Sequence, residues 1–331
     1  MKTTQLESNL SNANVLLVGD VMLDKYVFGK VTRISPEAPV PVFLSKKNKE
    51  VLGGAGNVYN NLAKLGVRST FISIIGKDNS GNRLRKLIKT NKMHTALFYE
   101  DNRRVTTTKT RYLANNQQII RVDEEDGIKI SKLAHKFIIS NFRKKINKAT
   151  VVIISDYNKG VITKDLMEEI IKISKSFKKP VIVDPKNKNF NFYKNAYLVT
   201  PNQLEASIVS GLDCDTNEEA EQCAKFIMNK FNIENIIITR GEKGLTFLNK
   251  KKVIHAPTRK IEVFDVSGAG DTVLAILAIS ISDNMDIDKV LYNANKAAGI
   301  VVGKIGTSAI TKKEFLEASL INEKSKILTL N

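Results

Sequence analysis

The stretch Asp265-Val266-Ser267-Gly268-Ala269-Gly270-Asp271-Thr272 runs directly into an apolar helical segment, Val273 to Ile281. Three small residues in a row, Gly268, Ala269 and Gly270, leave the backbone N–H groups of a helix start uncovered, and the positive end of the helix dipole faces the same way. Such a turn can hold a phosphoryl group. The carboxylate that follows is the informative part. As an ordinary helix-start residue Asp271 gains from the dipole. Beside an anion hole it can also accept a proton from an attacking hydroxyl while the amides stabilise charge on a moving phosphoryl group.

Outward from this turn, short β-branched runs alternate with longer amphipathic segments, the rhythm of a parallel sheet covered by helices. Val15 to Val18 leads into a helical pattern from about Gly54 to Leu65. Phe71 to Ile75, Val151 to Ile154, Val181 to Val183, Tyr197 to Val199 and Ile236 to Thr239 are uninterrupted apolar runs that suit strands buried on both faces. Residues 26 to 51 and 104 to 122 break the rhythm with alternating patterns such as Val40-Pro41-Val42-Phe43 and Val105-Thr106-Thr107-Thr108. These two insertions are expected to be half-exposed antiparallel strands. They form a small β-subdomain over the C-terminal strand edges, where open α/β sheets bind ligands.

Composition removes several classes of function. With 331 residues and 42% apolar content, disorder and a disulfide-stapled miniprotein are excluded. Cys214 and Cys223 form no CxxC pattern and His94, His135 and His255 are scattered, so a zinc site is not expected and a reducing cytoplasm is the default. Residues 1 to 14 lack an apolar signal core, and Val273 to Ile281 is about half the roughly 20 residues a membrane span needs. The net charge of +18 is carried by 41 lysines against 11 arginines, spread along the chain and with no tryptophan. That pattern argues for no nucleic-acid partner and for a basic field that favours anionic small ligands. Gly54-Ala55-Gly56-Asn57-Val58-Tyr59 fails the GxGxxG template at its last position, and no GxxxxGK[ST] occurs, so neither a dinucleotide fingerprint nor a P-loop is present.

The DxxGAGD turn, Gly53-Gly54-Ala55-Gly56-Asn57 and Thr200-Pro201-Asn202-Gln203-Leu204-Glu205 together resemble the ribokinase-type (PfkB) carbohydrate kinase family, in order and spacing over nearly the whole chain. The resemblance implies a ribokinase-like α/β/α sandwich of one domain, residues 1–331, with a mostly parallel sheet and a small β-lid inserted at about 26–51 and 104–122. Within the family, further stretches resemble the D-glycero-β-D-manno-heptose 7-phosphate kinases. They are Gly19 to Asp24, Arg33-Ile34-Ser35-Pro36-Glu37-Ala38-Pro39-Val40-Pro41, Asn116 to Asp123, Ser155-Asp156-Tyr157-Asn158-Lys159-Gly160, Asp184-Pro185-Lys186 and Val301 to Ser308.

By that resemblance Asp271 is the base and Gly268, Ala269 and Gly270 form the anion hole. Asn202 and Glu205, flanking Gln203 and Leu204, organise Mg²⁺ around the ATP phosphates, Glu205 acting through water. A helix capping box between Asn202 and Glu205 predicts the same two residues. Thr239, Arg240, Gly241, Gly244 and Asn295 are expected on the nucleotide side, where the two glycines also suit plain turns. Asp20, Asp24, Gly53, Gly54 and Asn57 are expected around the sugar. The distal phosphate needs cations, for which Arg33, Lys109, Arg111, Arg121 and Lys186 are candidates and Lys186 and Arg111 are favoured. ATP and Mg²⁺ are the implied cofactors, with the need for a monovalent cation left open. A homodimer through the lid is implied, with no membrane partner. Many relatives continue into a nucleotidyltransferase domain bearing HxGH; that motif does not occur here, so a separate nucleotidyltransferase is expected. The rival readings are a kinase of unphosphorylated sugars and a non-catalytic carbohydrate-sensing protein.

Overall fold

The computed structural model describes residues 8, 10–88, 92–115, 117–258, 265–304, 306, 308–320 and 328–330. Asn116, Ile305 and Thr307 of the stretches quoted above lie outside the described residues, as do residues 1–7 and 9. In chain order the strands are β1 (Asn14–Gly19), β2 (Val21–Ile34), β3 (Pro41–Gly54), β4 (Arg68–Gly76), β5 (His94–Asp101), β6 (Thr108–Ala114), β7 (Gln117–Glu124), β8 (Val151–Ser155) and β9 (Val181–Asp184). They continue with β10 (Leu198–Val199), β11 (Asn235–Thr239), β12 (Leu245–Asn249), β13 (Val253–Ala256) and β14 (Leu328–Leu330). Among the described residues the main sheet runs β14-β13-β12-β11-β10-β9-β8-β1-β4-β5. Its strands from β5 to β11 are parallel, and β12, β13 and β14 continue antiparallel.

The apolar runs read from the sequence are these central strands. Every residue of β8 and β9 is buried, as two-sided burial requires. One apolar cluster on the sheet joins Leu17, Phe71 and Ile153 to the helices Ala55–Lys64, Ala269–Ser282 and Ile287–Val302. The cluster on the opposite face joins Val18, Ile154 and Val183 to Lys132–Ile146, Lys164–Ser176 and Asn217–Phe231. The result is three layers. The helix Ala269–Ser282 is buried continuously from Asp271 to Ser280, which explains why its sequence is apolar all round. Among the described residues no helix is long and apolar enough to cross a membrane.

A second sheet, β3-β2-β6-β7, is the lid. It departs from the expectation in two respects. It begins at Val21, directly after β1 and ahead of the expected start at about residue 26, so Asp24 is one of its residues. Its outer pairs, β2 with β3 and β6 with β7, are antiparallel, but the central pair β2 and β6 is parallel. The reason is topological: β1 and β5 both run outward to the same sheet edge, and each continues into a hairpin that grows away from it.

Asp20 sits at the seam between sheet and lid, buried. Its carboxylate accepts backbone N–H bonds from Tyr157 (2.9 Å), Lys159 (3.2 Å) and Val161 (3.0 Å), and its carbonyl accepts from Ala55 N–H at 2.9 Å. Gly54, at the start of the helix Ala55–Lys64, has φ of 58°, and a Cβ there would press on the Asp20 carbonyl. Asp20→Ala leaves three loop amides without their acceptor. Urea denaturation should show a loss of about 2–4 kcal/mol, from one to three kcal/mol for each buried donor that water does not reach.

Candidate active site

The helix dipole and the packing around it place one carboxylate at the bottom of the cleft between sheet and lid. Asp271, 3% exposed, is the third residue of the helix Ala269–Ser282. Its Oδ2 accepts from Asn57 Nδ2 and its Oδ1 from the Tyr157 hydroxyl, each at 2.8 Å. Burial pushes the carboxyl up to about 7, and Asp184 and Asp24 push the same way; the Asn57 and Tyr157 hydrogen bonds oppose them. Asn57 is fixed in turn by Asn61, whose Nδ2 donates to the Asn57 carbonyl at 2.9 Å. Asn61 Oδ1 accepts from Thr272 Oγ1 and from Ile310 N–H, both at 3.1 Å. Asn57 Oδ1 is buried and finds no donor among the described residues.

The turn before Asp271 has the form of an anion cradle. Gly268 takes φ of 86°, the left-handed region that favours glycine, and the helix start carries no side-chain cap. A Cβ on Gly270 would meet only open space, so the cradle faces the cleft. Asp265 braces it, accepting from Ser267 N–H at 2.8 Å and Gly306 N–H at 3.1 Å.

Beside the cradle lies an ionic group. Lys186 Nζ donates to Glu205 Oε1 at 2.6 Å, and Glu205 Oε2 accepts from Asn202 N–H at 2.8 Å. Asn202 Oδ1 accepts from Glu205 N–H at 2.8 Å, so the capping box is formed in full. Burial pushes Asp184 up to about 6, against the pull of Lys186. Asp184, Glu205 and Asp271 all favour the charged form of Lys186. Lys186, expected at the distal phosphate, thus sits at the sheet end with its ammonium among Asp184, Glu205 and Asp271. Among the described residues no cluster of three or more acidic, His or Cys side chains could hold a metal ion. With both Glu205 oxygens engaged, the residues fit a Mg²⁺ carried on polyphosphate oxygens with water between it and Glu205.

The expected nucleotide-side residues are neighbours, though their side chains do different work. Asn202 bridges to Thr239, Gly244 lies against the Ala256 carbonyl, and Asn295 Nδ2 donates to that same carbonyl at 2.8 Å. Gly241 has φ of 56° with open space beside it. Arg240 is a correction: it is buried, donating to Asn217 Oδ1 (2.6 Å), Thr246 Oγ1 (3.1 Å) and the Asp215 carbonyl (2.8 Å), an internal brace. Gln203 is tied to Asp215 at 2.6 Å, and the Leu204 side chain is 67% exposed on the helix surface.

On the lid side, Asp24 Oδ1 pairs with Arg111 Nη1 at 2.8 Å, and Arg111 lies over the Tyr26 ring, 5.3 Å from its centroid. A Cβ on Gly53 would strike the Asp24 carboxylate, and one on Gly54 would approach the Tyr157 ring. Asp24, Gly53, Gly54, Asn57, Tyr157 and Asp271 thus form one wall. Asp20 is the second correction, since its oxygens serve backbone amides and not the cleft. Tyr157, Asp184 and Asn61 were not singled out from the sequence. Only Tyr157 and Asp184 lay in quoted stretches, and their contacts join segments far apart in the chain.

The pfkB family carbohydrate kinase profile matches residues 12–314. The chain is 42% identical over 304 residues to "Bifunctional protein HldE" of Aliarcobacter butzleri, covering 92% of this chain and 64% of that protein. It is 40% identical over 309 residues to the protein of the same name from Trichlorobacter lovleyi, covering 93% and 63%. The chain thus spans a little under two thirds of the length of these relatives. Among solved structures, it resembles Arabidopsis thaliana ribokinase complexed with ribose and ATP, with a TM-score of 0.72, 20% identity, and coverage of 92% and 98%. It resembles Escherichia coli phosphofructokinase-2 in complex with potassium with a TM-score of 0.77, 17% identity, and coverage of 93% and 98%. At those identities the structures speak for the fold, which is ribokinase-like.

The raised pKa of Asp271 has a consequence for stability. Its carboxyl binds a proton more tightly folded (about 7) than at its ordinary value of 3.8. The stabilisation is complete below the unfolded value and is lost as pH rises through about 7. Asp271→Asn removes that loss. Thermal unfolding should show the variant more stable than the wild type at pH 8, by on the order of 2–4 kcal/mol, with the gap closing as pH falls toward 4.

Proposed function

We propose, from the premise that the chain belongs to the pfkB family of carbohydrate kinases, that it transfers the γ-phosphoryl group of ATP to the anomeric O1 hydroxyl of D-glycero-β-D-manno-heptose 7-phosphate. The products are the 1,7-bisphosphate and ADP, in a route to ADP-heptose for lipopolysaccharide. The observation that carries the kinase chemistry is the buried Asp271 carboxylate, poised near neutral pH one residue beyond an uncapped, glycine-lined helix start. The heptose assignment rests on the Arg33–Pro41 and Ser155–Gly160 stretches and on the identity of about 40% to the HldE proteins.

In this reading Asp271 accepts the O1 proton as O1 bonds to the γ-phosphorus and the bond to the ADP oxygen breaks. Asn57 and Tyr157 hold the carboxylate on line, and a sugar hydroxyl meets Asp24 further along the same wall. The amides of the 268–270 turn and Lys186 take up charge on the transferring group. Glu205 would hold a Mg²⁺ through water, and the ion when bound would neutralise polyphosphate charge. Ile120 and Val122, exposed and apolar on β7, and Ile34, Val40 and Leu44, exposed at the β2–β3 end of the same sheet, fit a second copy of the lid in a homodimer.

Phosphorus NMR on the purified protein with Mg·ATP and the β-heptose 7-phosphate, beside ribose, fructose and fructose 6-phosphate, tests the reading. The expected result is an anomeric phosphate from the heptose, with Asp271→Asn reducing kcat by about 10³-fold or more. Preferred turnover of another sugar overturns the heptose assignment, and turnover of none overturns the kinase.

The pH dependence is a separate expectation. For the free enzyme, kcat/KM should fall about tenfold per pH unit below about 7 as Asp271 becomes protonated. Tyr157→Phe removes a hydrogen bond that favours the carboxylate, so this acid limb should move to higher pH, readable in the full pH profile. An unmoved limb would show that Tyr157 does not tune the base.

A further inference from the structure

The hydroxyl of Tyr193 is not needed for packing, because a Phe would fill the same space. Tyr193 is fully buried in the cluster that covers one face of the sheet, its ring edge-on to Phe190 at 5.3 Å, and Phe190 packs on Phe231 at 5.9 Å. A hydroxyl taken out of water there is unfavourable unless it is hydrogen-bonded. It donates to Asp156 Oδ2 at 2.6 Å and accepts from the Asn187 N–H at 3.1 Å. Burial first, and then Asp156, pushes the hydroxyl well above its ordinary value, so the proton stays on Tyr193 and the bridge keeps its direction.

The bridge joins two loops that serve the cleft. β8 and β9 are parallel neighbours with Ser155 opposite Asp184, and the pairing runs one residue further, through Asp156 N–H to the Asp184 carbonyl at 3.1 Å. Beyond it the loop after β8 presents Tyr157 to Asp271, and the loop after β9 presents Lys186 to Glu205. Asp156 is the chain neighbour of Tyr157, and Asn187 is the chain neighbour of Lys186. Asp156 Oδ1 also accepts from Asn158 N–H at 2.7 Å, so Tyr157 is held from both sides. We infer that Tyr193 is a positioning residue, which through Asp156 and the Asn187 amide sets the Lys186 ammonium against the Asp271 carboxylate. The inference rests on reading the Asp271 cleft as the site of phosphoryl transfer. A chain of bonds from N–H through O–H to a carboxylate is polarised along its length, so removing the hydroxyl releases both loops at once. A lysine whose backbone is loosened still binds anions, but it meets developing charge less often in the required place, so the loss falls on the transition state more than on substrate binding.

Tyr193→Phe keeps the ring and removes the bridge. With Mg·ATP and the best of the sugars named above, kcat should fall about 10-fold while the KM of the sugar stays within about twofold. In the Lys186→Met background the same substitution should cost little further, because the group it positions is gone. Amide hydrogen exchange, which needs no turnover, should be about 10-fold faster at residues 185–189 in Tyr193→Phe and unchanged in β8 and β9. Asp156→Asn weakens the acceptor and leaves the hydroxyl in place; it should speed exchange at the same residues by a smaller factor, reading the bridge from its other end. Unchanged exchange at 185–189 in both variants, or losses of kcat that simply add in the double variant, overturns the positioning role. Turnover by the wild type is scored separately: transfer to none of the sugars overturns the proposed function, and the exchange result still decides whether Tyr193 ties the two loops.

Discussion

The structure depends on keeping a carboxylate at the buried start of an apolar helix. Asp271 is removed from water by the packing of Ala269–Ser282 beneath the sheet edge, and burial is the dominant cause of its raised pKa. A carboxyl in that position is unfavourable for stability as an anion. The neighbouring elements offset part of that cost. Asn57 comes from one helix, Tyr157 from a loop, and Asn61 and Thr272 hold the frame around them. The same hydrogen bonds that reduce the cost aim the two oxygens, so positioning and tolerable burial have one origin.

The loop that delivers Tyr157 depends on a second buried carboxylate. Asp20 gathers its backbone amides, and Asp156 below it accepts from Tyr193 Oη at 2.6 Å and from Asn158 N–H at 2.7 Å. Burial, with Asp20 nearby, pushes Asp156 up to about 7. Acidic side chains thus act in two ways in this protein. Asp20 and Asp156 organise backbone, whereas Asp271 and Asp24 face the cleft. Residue type alone does not separate the two uses; the direction of the neighbouring amides does.

The parallel sheet, its buried strands and the glycine turn were legible because each rests on local pattern. Apolar runs in β8 and β9 and the small residues 268–270 carry their meaning within a few positions. The capping box at Asn202 and Glu205 was legible for the same reason. The parallel pairing of β2 with β6 was not, because alternation shows that a strand is half-exposed and says nothing of the direction of its partner. Arg240 likewise reads as a surface cation in a turn until Asn217 and Thr246 are brought around it.

The sequence by itself determined the layered α/β class, the lid insertions, the anion turn and its carboxylate, since these follow from periodicity and from residue chemistry at short spacing. Only the tertiary structure decided which charged groups are already satisfied. Arg111 and Lys186 found carboxylates, and Asp20 found backbone amides. Pairing is a relation in space between residues distant in the chain, and a linear sequence carries the charges without the distances that neutralise them.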